Sequence, residues 1–301
     1  MGGMSGRGRR VADGGAERYA HAAATATATI VDEYSTSFGR ACRLLHEPVR
    51  GHVRTIYGLV RVADEVVDAP DLGLDTAQRA AFLDALEADT LQALESGFST
   101  NLVVHAFART AREHGIGPDL VVPFFASMRT DLSADRHDDA SFETYVYGSA
   151  EVVGLMCLRV FVGAPDADTA RRDDVYAELT PGARRLGAAF QKVNFLRDLA
   201  ADRDDLGRQY FPGIDAGALT DAQRDLLLDD VDADLAAARA AIAALPASSR
   251  RAVRTAHDLF AALSARLRAT PAAGIARERV RVPGTAKAGI VVRNLLPLVR
   301  T

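Results

Sequence analysis

The chain has 301 residues, 48% of them hydrophobic, with 36 basic and 40 acidic groups and a net charge of −4. That length and apolar content suffice for a large core. A pI near 6.0 excludes a general nucleic-acid binder. No apolar stretch approaches the ~20 residues that span a bilayer, and MGGMSGRGRRVADGG lacks the apolar core of a secretory signal, so a cytoplasmic soluble protein is expected.

Residues 1–20, rich in Gly and Arg, read as a disordered tail, and 21–301 as one all-α domain. Removing the chain before Thr29 is therefore expected to leave activity unchanged. From Ala22 on, the spacing predicts helices at about 22–33, 38–46, 49–68, 76–95, 101–113, 118–131, 141–163, 171–179, 182–206, 221–243, 247–268 and 285–296. Pro48 opens a helix and Ser141 is expected as an N-cap. Gly97, Gly115 and Gly207 close helices, with Pro212 beyond the last. No internal repeat or linker divides the chain, and the residues give no reading of oligomeric state.

Cys42 and Cys157 are far apart in sequence and sit in apolar contexts, which favours two reduced, buried thiols. The seven His are scattered without a ligand spacing such as HExxH. Any metal would then be held by oxygen, favouring Mg2+ or Mn2+ over Zn2+.

"VRVADEVVD" (60–68) places Asp64 and Asp68 one helical turn apart, but eight Asp pairs in this chain share that i, i+4 spacing. The flanks distinguish two of them. Around the first, Tyr57, Arg61, Asp64 and Asp68 fall within an arc of roughly 60°, opposite Ile56, Leu59, Ala63, Val66 and Val67. Around the second, Gln191, Asn194, Asp198, Asp202 and Asp205 share an arc of roughly 80°, backed or flanked by Leu186, Ala189, Phe190, Val193, Leu196 and Ala200. Half-buried carboxylates need cations. Mg2+, with Arg61, Lys192, Arg197 and Arg208 alongside, would make a receptor for a diphosphate. The structural alternative is that these arginines only pair with the aspartates between helices.

At this point four stretches resemble the squalene/phytoene synthases, the head-to-head prenyl-transferring branch of the class I terpenoid synthase fold. They are "YSTSFGRACRLL" (34–45), "IYGLVRVADEVVD" (56–68), "YVYGSAEVVGLM" (145–156) and "AFQKVNFLRDLAADRDDLGRQYFP" (189–212). The resemblance implies a helical bundle around a central cavity. It implies that Asp64, Asp68, Asp198 and Asp202, assisted by Asn194, gather Mg2+ around two prenyl diphosphates. Gln191 would face the prenyl chains; Arg61, Arg197, Arg208 and Lys287 would contact phosphate oxygens; Ser35 and Ser37 would offer hydroxyls. Tyr57, Tyr145, Tyr147, Tyr210 and Phe38 are available to carbocations, Tyr145 and Tyr210 because they fall inside matched motifs. Ser37 reads equally as a plain N-cap.

Departures adjoin the expected prenyl channel: Glu151 stands where many relatives have Gly, Gly148 replaces a bulkier residue, and His137 replaces an aromatic. The implied activity is Mg2+-dependent condensation of two geranylgeranyl diphosphates to phytoene in carotenoid biosynthesis. The alternatives are a farnesyl-using dehydrosqualene or squalene-type synthase and a non-catalytic helical binding protein. With no Gly-rich dinucleotide loop, a nicotinamide cofactor is not expected. Greasy substrates are compatible with peripheral contact at the inner face of a membrane. An elongating prenyltransferase fits less well, because Asp64 is followed by Glu65 where such enzymes carry a second Asp.

Overall fold

The computed structural model describes residues 7–34, 41–69 and 73–295. Its helices are α1 (Arg7–Tyr34), α2 (Val49–Asp68), α3 (Thr76–Ser96), α4 (Leu102–His114), α5 (Pro118–Thr130), α6 (Asp139–Val162), α7 (Arg172–Leu206), α8 (Asp221–Ala244), α9 (Ala247–Arg268), the single turn α10 (Ala272–Ile275) and α11 (Gly284–Leu295). Among the described residues the extended pairing is confined to one parallel bridge, Arg136 with Gln209.

Local chemistry explains most boundaries. Asp75, Asp138 and Thr220 each accept from a backbone N–H three residues on, and the side chain at that position returns the bond, closing a capping box. Ser141 is thus the far side of the box that Asp138 opens, not the cap itself. Gly97, Gly115 and Gly207 end α3, α4 and α7 at φ 78°, 71° and 71°, where other residues would be strained.

Of the helix expected at 38–46, residues 38–40 lie outside the described residues and 43–46 are turn or irregular; two further boundaries differ. The first helix begins at Arg7, inside the stretch read as a disordered tail. Composition misled here because the order comes from packing: Tyr19 packs tilted against Phe98 and edge-on against His105 and donates to Ser99 O at 2.9 Å, while Ala23, Thr27 and Val31 are buried. Cutting before Thr29 would uncover that contact, so the expectation of an unchanged truncated protein gives way to one of lost stability. The second difference is α7, which runs unbroken through Pro181, where two helices were expected. The neighbouring Gly182 lets α7 press on α8: a Cβ there would lie 2.4 Å from that of Ala241. Contact along α8 outweighs the hydrogen bond that Pro181 removes.

The core forms two apolar clusters. One, built by α2 to α6, centres on Ile56, Leu59, Phe107, Phe124, Phe125 and Met156; the other, built largely by α7 to α9, on Val193, Leu196, Leu228 and Leu267. By length and composition α6 could cross a bilayer, contrary to the reading of the sequence, but over half of that span is buried in the bundle. Its centre, Tyr147–Glu151, is π-helical. A Cβ on Gly148 would lie 2.3 Å from Pro123 O of α5, and one on Gly187 2.8 Å from Ala150 O. The wide turn is therefore wedged between α5 and α7 by two positions that admit only glycine.

Candidate active site

The two acid rows lie on helices belonging to different apolar clusters. On α2, Ile56, Leu59, Ala63 and Val67 are buried, while Tyr57, Arg61, Asp64 and Asp68 are half-buried. On α7, Ala189, Val193 and Leu196 are buried behind Gln191, Asn194, Asp198 and Asp202, which are half-buried. Asp205, expected in the same line, is exposed and leaves it.

Each row contains one paired and one uncompensated carboxylate. Arg208 Nη1 donates to Asp68 at 2.7 Å, and its Nη2 donates to Val67 O at 3.3 Å. Asp198 is gripped twice: by Arg197, whose Nε donates at 2.9 Å, and by Arg279, whose Nε lies 2.7 Å away. The carboxyls of Asp64 and Asp202 receive no hydrogen bond among the described residues. Burial first, then the neighbouring Asp68, pushes Asp64 up to about 7. Burial, then Asp198, does the same to Asp202, and Asp68 across the gap pushes it further. Arg208, two residues past the end of α7, reaches Asp68 at the end of α2, so the C-terminal ends of the two rows come together.

Beneath the rows sits a polar knot whose centre the sequence reading missed. Asp131, 5% exposed at its side chain, accepts from Tyr145 Oη at 2.8 Å and from Tyr210 Oη at 3.4 Å, with Arg208 3.8 Å away. Burial raises Asp131 to about 6 against the pull of Arg208. Both tyrosines are raised by burial and keep their protons as donors. Tyr145 stacks on Tyr210 at 5.3 Å, Tyr210 on Phe195 at 3.9 Å, and His137 covers Tyr145 at 4.9 Å. The signal that could have found Asp131 was its place in "RTDLSADRH", among the eight Asp pairs with i, i+4 spacing.

Other expected residues resolve individually. Arg61 pairs with Glu65 and lies 4.5 Å over the Tyr34 ring, beside Asp64. Gln191 donates to Ser149 of the π-helical turn at 3.3 Å. Tyr57 and Lys287 are half-buried, each with a partner. Lys192 does not flank the row: it faces α8, bound to Asp230 and to Asp234 at 2.8 Å. Arg279, unforeseen, takes its place. Glu151 is held by Arg184 at 2.6 Å. Ser35, Ser37 and Phe38 lie outside the described residues.

One orphaned acceptor bears on a divalent cation: Asn194 Oδ1 is buried with no hydrogen-bond partner among the described residues. A bare acceptor one helical turn from the Asp198 carboxylate fits a hard, oxygen-loving ion. Asp64, Asp68, Asn194, Asp198 and Asp202 could hold it.

A family model described as squalene/phytoene synthase matches residues 31–286. The 15-cis-phytoene synthase of Paracoccus sp. (strain N81106 / MBIC 01143) is 30% identical, covering 89% of this chain and 91% of that protein. The 4,4'-diapophytoene synthase of Staphylococcus haemolyticus (strain JCSC1435) is 26% identical over 60% of this chain and 59% of its own. A dehydrosqualene synthase crystal structure in complex with ligand superposes with a TM-score of 0.78 at 19% identity, covering 92% of this chain and 96% of that one, a likeness of fold.

Proposed function

Because the chain belongs to the squalene/phytoene synthase family, we propose that it condenses two geranylgeranyl diphosphates head to head, through a cyclopropyl-carbinyl diphosphate, to phytoene. The observation that carries this reading is the bond from Arg208, just past the α7 row, to Asp68 of the α2 row, which brings the ends of the two acid rows together. Relatives named phytoene synthase at 30% identity support the choice of substrate.

Asp64, Asp68, Asn194, Asp198 and Asp202 would hold Mg2+, or Mn2+ in its place; when bound, the metal supplies the positive charge that eases departure of a diphosphate. The rest is work for the chain. Arg61, Arg197, Arg208 and Lys287 bind phosphate oxygens, with Ser35 and Ser37 as further donors, and Arg279 joins them from the rim. Their fixed positive charge stabilises the leaving oxygen as the carbon–oxygen bond breaks, so an allylic cation remains. The stacked rings of Tyr145, Tyr210 and Phe195 offer it faces worth about 1–2 kcal/mol each when desolvated. Asp131 fixes both hydroxyls, so the rings cannot turn their oxygens toward the cation as nucleophiles. Gln191, tied to Ser149, borders the prenyl chains and Tyr57 the opposite wall. The second substrate's double bond attacks, and loss of a proton to the released diphosphate closes the cyclopropane; a second ionisation, rearrangement and loss of a second proton to the second released diphosphate give the hydrocarbon. We place this work in the cytoplasm, at the inner membrane face where such products partition.

The 26% identity to a 4,4'-diapophytoene synthase favours one second reading, the same reaction on two farnesyl diphosphates. Purified protein with Mg2+ and each donor in turn decides by product mass. Geranylgeranyl diphosphate is expected to give a symmetric hydrocarbon of doubled length. A doubled product from farnesyl diphosphate alone would support the second reading; a longer diphosphate or a cyclic terpene would defeat both.

A further inference from the structure

Far from the acid rows, the fold assembles three ligand-bearing side chains that sequence spacing gave no reason to group. His52 lies in the first turn of α2, twelve residues before Asp64, hence ~18 Å away along the helix. Glu113 and His114 end α4. His52 Nδ1 and His114 Nε2 face each other at 2.7 Å, with rings 4.6 Å apart. Glu113 carboxylate oxygens lie 3.6 Å from His52 Nε2 and 3.7 Å from His114 Nε2. One donor atom from each of the three residues falls within 4.8 Å of the others.

The cluster is graded from inside to outside. His114 is buried and packed on Gly163, where a Cβ would lie 2.6 Å from its Nδ1. His52 is 19% exposed and Glu113 59% exposed. The rigid ligand is innermost and the adjustable one is in water.

We infer that His52, His114 and Glu113 form a second metal site, selective for a borderline-soft transition ion such as Zn2+ and distinct from the oxygen-lined site between the acid rows. Two imidazoles and one carboxylate are a donor set that zinc accepts and magnesium does not favour. Two nitrogens bound tetrahedrally at ~2.0–2.1 Å sit about 3.3 Å apart, so each ring need move only a few tenths of an ångström. The proton now shared between Nδ1 and Nε2 shifts to the other nitrogen of its ring, and no net proton is released. Both imidazoles are already neutral near pH 7: burial lowers His52, and burial with Arg172 lowers His114 to about 4. Arg172, bonded to His114 O, opposes a cation; Glu113 and Glu47, which favour positive charge at His52, offset it. An ion here would tie α2 to α4 and, through Arg172, to the start of α7.

The test is calorimetric titration of Zn2+ into full-length, chelator-treated protein in excess Mg2+, which occupies the oxygen ligands. One Zn2+ per chain is expected, with Tm rising as it binds. His52→Gln and Glu113→Gln, both at the rim and substitutable without opening the core, are expected to weaken uptake at least tenfold while keeping wild-type turnover and circular dichroism. Absence of uptake by the wild type, or uptake that His52→Gln leaves unchanged, would overturn the assignment.

Discussion

The two acid rows share a spacing but are anchored differently. On α2, Asp68 is held by Arg208, a cation 7% exposed that also serves Asp131 and Val67 O. On α7, Asp198 is held by Arg197 and by Arg279, which is 50% exposed. One row is fixed from the interior, the other from the rim. A buried guanidinium costs much to strand because it cannot turn to water, whereas a rim cation can exchange its partner for water or phosphate. The first row is thus a preset platform and the second an adjustable one.

The largest expected effect comes from taking away the interior anchor. Arg208→Met leaves Asp68 and the buried Asp131 without their cation; unfolding free energy in urea is expected to fall by about 3–5 kcal/mol, with turnover lost. Next come the carboxylates: Asp68→Ala and Asp198→Ala should each cut turnover by more than the ~100-fold typical of losing an outer-shell partner, with circular dichroism unchanged. Turnover surviving both would sink the metal assignment. Arg279→Ala should be mildest on the rate, raising KM up to about tenfold, more at low salt, with little change in Tm. Equal damage from Arg208→Met and Arg279→Ala would abolish the distinction between the rows.

A fourth, smaller effect follows from the uncompensated carboxyls. Asp64 and Asp202 rise from the usual carboxylate range to about 7. The folded chain binds those protons more tightly than the unfolded one, so their contribution to stability is complete below pH ~4 and is lost as pH climbs toward 7. Metal-free protein is expected to lose several degrees of Tm between pH 5 and 8, Asp64→Asn to lose less, and Mg2+ to restore the wild type. Since ligands must be ionised, Mg2+ affinity should fall below pH 7. A metal-free Tm that rises over this range would contradict the burial of these groups.

Much of this was legible in sequence because it is local. The α2 boundaries 49–68 and its buried stripe follow from 3.6-residue periodicity, and the α7 row from Gln191 and Asn194 continuing the aspartates. What escaped was tertiary. Asp131 resembled any other member of an Asp pair until α6 and α7 brought Tyr145 and Tyr210 to it. Arg279 lies 81 residues from Asp198, and His52 lies 62 from His114; spacing along one helix cannot reveal either. Arginine ion pairs hold Asp68 and Asp198, whereas Asp64 and Asp202 have arginines nearby but no such pair among the described residues.

The ends of α2 and α7 add something the side chains do not. Asp68 is the last residue of its helix, and α7 stops one turn past Asp202. Both helices therefore aim their carbonyl termini into the same region, each equivalent to roughly half a negative charge. Arg208 touches one such terminus through Val67 O. The backbone alone thus makes this end of the bundle a trap for positive charge, and exchanging every aspartate for asparagine would weaken that attraction without erasing it.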